Sequence, residues 1–181
     1  DEFREAVRRI KEIIDDSRRK LEKNVKENEE LLKRSDDELR KSSEDIKKLL
    51  EELRRLIEGG ADERIVKRIL EEIEDILRKS EKRSRETLEE SKESLRRSEK
   101  TSRETEKRIK ELLEELAKRI KDEKSLREVE ERVERLLEDD RRLLEENARR
   151  VEDLIRKDKE ALDRDRKTVE DVKREVEKDA R

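Results

Sequence analysis

Along residues 3 to 56 one stripe recurs every three or four positions: Phe3, Val7, Ile10, Ile14, Ser17, Leu21, Val25, Asn28, Leu32, Ser35, Leu39, Ser42, Ile46, Leu49, Leu53 and Leu56. This beat stacks side chains on one face of an α-helix, so the stretch predicts a single long helix. Ser17, Asn28, Ser35 and Ser42 occupy stripe positions where hydrocarbon is normal, and Asn24 lies one turn before Asn28. A second stripe begins with Val66, Ile69, Ile73 and Leu77 and resumes with Ile109, Leu112 and Leu116. Between them Ser80, Ser84, Thr87, Ser91, Ser94, Ser98, Thr101 and Thr105 keep the phase of the apolar residues on both sides. A third stripe runs Leu126, Val129, Val133, Leu136, Asp140, Leu144, Asn147, Val151, Leu154, Asp158, Leu162, Asp165, Val169, Val172 and Val176. Retention of phase assigns the hydroxyls to the core seam, because a solvated Ser-rich face has no reason to keep it.

Two interruptions part the stripes. Glu58-Gly59-Gly60-Ala61-Asp62 holds both glycines, with Gly59 suited to the left-handed residue that closes a helix and Asp62 suited to cap the next. Lys121 to Ser125 is the other, where Ser125 and Glu128 have the spacing of a capping box. The expected elements are helices at about 2–58, 62–121 and 126–179, each about 55–60 residues and about 85 to 90 Å long. Short connections force neighbouring helices to run antiparallel. The expected fold class is therefore all-α, an antiparallel up-down-up three-helix bundle forming a single domain over 1–181. Stripe spacings of about 3.5 to 3.6 residues imply a weak left-handed supercoil.

In such a bundle residue i of the first helix faces about 120 minus i on the second, and residue j of the second faces about 247 minus j on the third. That arithmetic brings Ser17 to Ser42, Ser80 to Thr105 and Asp140 to Asp165 to the same levels. A buried polar group without a partner costs about 1 to 3 kcal/mol, so mutual hydrogen bonding is expected. The level-matched groupings are Ser17 with Thr101, Thr105 and Asp140; Asn28 with Ser91 and Ser94; and Ser35, Ser42, Ser80 and Ser84 with Asp165. Ser and Thr have a fallback in their own helix's carbonyls. Buried Asp140, Asp158 and Asp165 instead need hydroxyl donors, Arg or Lys reaching in from the edge, water, or a proton.

Composition narrows the chemistry. Asp, Glu, Lys and Arg make up 61% of the 181 residues, a load that suggests disorder until the balance of 54 bases against 57 acids is set beside it. Disorder goes with high net charge and no apolar period, and neither holds here. His and Cys are both absent, which removes the usual general base, zinc ligand, thiol nucleophile and pH switch. A cation site at Asp158 and Asp165 is disfavoured because two helical turns separate them. No cofactor, metal or catalytic residue is therefore expected. Charge balance and a single aromatic, Phe3, argue against a nucleic-acid partner. Apolar runs no longer than pairs such as Ile13-Ile14 argue against a membrane partner, and no targeting signal is read.

Near-uniform Glu/Lys/Arg surface filling, the absence of Pro, Cys, Met, His, Trp, Tyr and Gln, one Gly-Gly loop, one capped loop, and Ser, Asn and Asp set in phase within Leu/Ile/Val stripes occur together over all 181 residues. In these features the chain resembles computationally designed helical bundles with buried hydrogen-bond networks. The resemblance implies a structural scaffold, soluble and without catalytic role or small-molecule substrate, in which the polar seam sets helix register and pairing specificity. A monomer is favoured. The alternative is an interaction or oligomerisation module, with Leu31-Leu32 and Leu136-Leu137 widening the stripes for a partner helix or a second copy.

Overall fold

The structure, a computed structural model, describes residues 2 to 179, with side chains described for 3 to 178. It contains three α-helices of 57 residues each, α1 (Glu2–Glu58), α2 (Glu63–Arg119) and α3 (Glu123–Asp179). No strand occurs among the described residues. Leu, Glu, Lys and Arg are strong helix formers and no Pro interrupts them, so the helices end only where the loops stop them.

Gly60, not Gly59, is the left-handed residue, with φ of 71°. The Ala61 amide donates to the Leu56 carbonyl (2.9 Å) and the Gly60 amide to that of Ile57 (3.1 Å), the paired bonds of a Schellman cap. This motif places the left-handed residue one position past the last half-helical one, which here is Gly59. Asp62 then caps α2, its Oδ1 accepting from the Arg64 amide at 3.4 Å. The second loop is shifted from its expected place. α2 ends at Arg119 and α3 begins at Glu123, because Asp122 supplies the cap in place of Ser125. Asp122 accepts from the Lys124 amide at 3.2 Å and from the Ser125 hydroxyl at 2.8 Å. An ionised carboxylate at a helix N-terminus outcompetes a hydroxyl three residues later, since it meets both the free amides and the helix dipole.

The chain groups into two compact units, each built from segments of all three helices. Unit 1 comprises residues 1–29 and 91–151, and unit 2 comprises 30–90 and 152–181; residues 1, 180 and 181, the ends of the expected domain, lie outside the described residues. In unit 1, Ile10, Ile14, Ile109, Val133 and Leu137 form a hydrocarbon cluster. In unit 2 the cluster is larger, with Ile46, Leu50, Leu53, Val66, Ile69, Leu70, Ile73, Leu77, Val169 and Val172. Each fully buried Ile or Leu, such as Leu53 and Ile73 at 0% exposure, contributes about 1.5 to 3 kcal/mol. Leu50 and Leu137 are buried where Leu49 and Leu136 were expected, and those two pack from the cluster margins.

Cross-helix pairs define direction within each unit. In unit 1, Arg18 meets Asp140 and Glu29 meets Arg150, offsets of 122 and 121 residues. In unit 2, Ser35 meets Asp158 and Ser43 meets Asp165, offsets of 123 and 122. A near-constant offset means that α1 and α3 run parallel. The partners Glu106–Arg141 in unit 1, and Glu81–Arg166 and Glu74–Lys173 in unit 2, have numbers adding to 247, the expected register for antiparallel α2 and α3. Between α1 and α2 the numbers add to 122 for Asn24 with Ser98 and 121 for Glu38 with Arg83, one or two residues from the expected 120.

Candidate functional site

Within unit 1 the polar stripe positions lie beyond the Ile/Val/Leu cluster. Ser17, Asn28, Ser91, Ser94, Ser98, Asp140 and Asn147 are buried there, and Asn24, Thr101 and Thr105 are half-buried. In unit 2, Ser35, Ser42, Ser80 and Asp158 are buried, while Ser84, Thr87 and Asp165 are half-buried. The same 3.6-residue period that buries Leu on these helices buries the hydroxyls and amides that replace it.

The bonds that form differ from the level-matched groupings. Asp140 accepts from Arg18 Nε at 3.1 Å rather than from Ser17, and Arg18 also lies 3.8 Å from Asp139. Asn24 Nδ2 donates to Ser98 Oγ at 2.9 Å. Asp158 accepts from Ser35 at 3.5 Å, and Asp165 accepts from Ser43 at 2.6 Å rather than from Ser35 or Ser42. Each of these four contacts includes Asn, Asp or Arg. Asn, Asp and Arg carry their polar atoms further along the side chain than Ser does, and so reach further across the gap between helices. Ser17, Ser80, Ser91 and Ser94 Oγ, with Asn28 and Asn147 Nδ2, are buried without a hydrogen-bond partner among the described residues. The fallback of donating to the preceding turn is not taken by these four serines.

Arg18 and Ser43 were missed by the sequence reading, each sitting one residue after a stripe position, at Ser17 and Ser42. The signal that could have found Arg18 is charge: a buried Asp on α3 needs a cation at the stripe edge of a neighbouring helix.

Burial is the main cause that raises the Asp140 carboxyl above the ordinary range, opposed by Arg18 and reinforced by Asp139 and Glu22. Asp158 is pushed up to about 6, chiefly by burial and then by the negative charge of Asp36, with only the Ser35 hydroxyl opposing. Among the described residues, no group of three or more acidic side chains is placed to hold a metal ion. No helix among them is long and apolar enough to cross a membrane.

These elements define an all-α three-helix bundle with polar positions buried in its stripes. No protein-family model and no curated protein matches the chain. Among solved structures it is similar to one described as a computationally designed three helix bundle, with a TM-score of 0.70 at 16% identity, over 98% of this chain and 91% of that one. At that identity the likeness concerns the fold.

Proposed function

We propose that this chain is a computationally designed structural scaffold with no natural biochemical activity, whose buried Ser, Thr, Asn and Asp positions set helix register and pairing specificity. The observation that carries the reading is the in-phase burial of polar residues on all three helices, several of them without partners. Each partnerless group costs about 1 to 3 kcal/mol, and hydrocarbon of similar size would avoid that cost. Retaining them is reasonable where sliding of one helix past another is the greater hazard. Passage of each helix through both units supports a single domain over 1–181, for which one cooperative unfolding transition is expected.

A second reading, an interaction module, is favoured by a groove of about 540 Å³ in unit 1 lined by Phe3, Val7, Ile10, Val129, Val133 and Leu136 among others. Light scattering on a sizing column separates the two. A mass near 22.1 kDa at all concentrations supports the scaffold. A stable multiple of it supports the module.

A further inference from the structure

In unit 2 a cavity of about 450 Å³ lies between α2 and α3, with Leu32 of α1 contributing to its wall. Leu32, Leu88, Ile155 and Leu162 give it an apolar lining, and Ser84 and Thr87 add hydroxyls. Asp158 lines the same cavity and is itself only 6% exposed. Among the described residues its sole hydrogen bond is the 3.5 Å contact from Ser35, at the outer limit of useful geometry. No Lys or Arg lies within ion-pair distance of it among the described residues.

The charges around the cavity do not supply what Asp158 lacks. Asp36 on α1 is a like charge. On the rim, Arg166 is held by Glu81 of α2. Arg85 and Lys159 line the cavity but are exposed, and Asp163 adds another negative charge. The arrangement is a buried carboxylate lining an open groove of ligand size, whose walls combine the four hydrocarbon side chains with charged ones.

We propose that this cavity binds a small organic ammonium ion, its apolar body against Leu32, Leu88, Ile155 and Leu162 and its N–H groups donating to the Asp158 carboxylate. A neutral isostere would fill the walls but leave the buried charge unpaired, and an anion would be repelled. This departs from the expectation that the chain has no small-molecule partner, and it invokes binding without turnover. With Asp158 raised only to about 6, the carboxyl is mostly ionised at pH 7.5, as the pairing requires.

The test follows backbone amide NMR shifts of the full chain at pH 7.5 on titration with benzylammonium, benzyl alcohol and methylammonium. Saturable shifts confined to Ser84–Leu88 and Ile155–Leu162 are expected for benzylammonium, with Kd of about 1 mM for so small a ligand. Benzyl alcohol and methylammonium should bind about tenfold or more weakly, and so should benzylammonium to Asp158→Asn or at pH 5. Absence of saturable shifts overturns the proposal. So does equal binding of the alcohol to the parent chain, a comparison that stands whether or not the variant folds.

Discussion

Asp140 in unit 1 and Asp158 in unit 2 are buried to similar depth on the same helix, at 2% and 6% exposure, yet their surroundings treat charge differently. Asp140 receives a guanidinium from Arg18 at 3.1 Å. Asp158 receives one long hydroxyl contact and the repulsion of Asp36. Burial penalises the ionised form of both, but only Asp140 has a cation to offset it. Depth alone therefore does not fix what a buried carboxylate costs. The charge and placement of the facing side chain do: Arg18 brings a guanidinium to Asp140, while Ser35 offers Asp158 only a neutral hydroxyl at 3.5 Å.

Removing Arg18 should make the two sites alike and have the largest effect. Arg18→Leu leaves Asp140 buried and unpaired, and a loss of about 3 kcal/mol in urea unfolding at pH 7 is expected, shrinking in mild acid as Asp140 takes up a proton. Asp158→Asn should act in the opposite direction, because it deletes a buried charge that has no cationic partner among the described residues. With the carboxyl raised from 3.8 to about 6, a gain on the order of 2 kcal/mol at pH 7 is expected in the same assay.

The pH dependence sharpens the contrast. Folded Asp158 holds its proton more tightly than the unfolded chain does, so its contribution to stability is fully present below about pH 4 and is lost as pH rises through about 6. The parent protein should gain about 1 kcal/mol on going from pH 7 to pH 5, and Asp158→Asn should lose most of that slope. Asp140, also raised, acts in the same direction. The smallest effect expected is that of Ser91→Ala, which removes a fully buried hydroxyl without a partner and should stabilise by about 1 kcal/mol in thermal or urea unfolding.

Much of this fold was legible because helix period and loop chemistry act locally. Phase through the hydroxyl ladder identified Ser80, Ser91, Ser94 and Ser98 as buried, and the 247 register followed from a short loop. Pairing was less legible, for a geometric reason. Composing the expected registers from α1 to α2 and from α2 to α3 places residue i opposite about 127 plus i on α3, whereas the observed offsets are 121 to 123. Contacts around three helices use different edges of each stripe, and the mismatch amounts to more than one helical turn. Asp140 therefore meets Arg18, and Asp165 meets Ser43, both just outside the stripe. The Asp122 cap was overlooked because a Ser-x-x-Glu pattern drew the boundary three residues too late.

The claim that the polar seam sets register is tested most directly by distance measurement in unit 1. The chain has no Cys, so spin labels at Lys23→Cys on α1 and Lys100→Cys on α2, both exposed, report that pair alone by double electron–electron resonance. The parent should give one narrow distance. With Ser91, Ser94 and Ser98 all changed to Ala, helicity and urea stability should hold or rise while the distribution broadens or gains a second distance, displaced by about one turn or 5.4 Å along the axis. A narrow distribution unchanged by the triple substitution would contradict the claim.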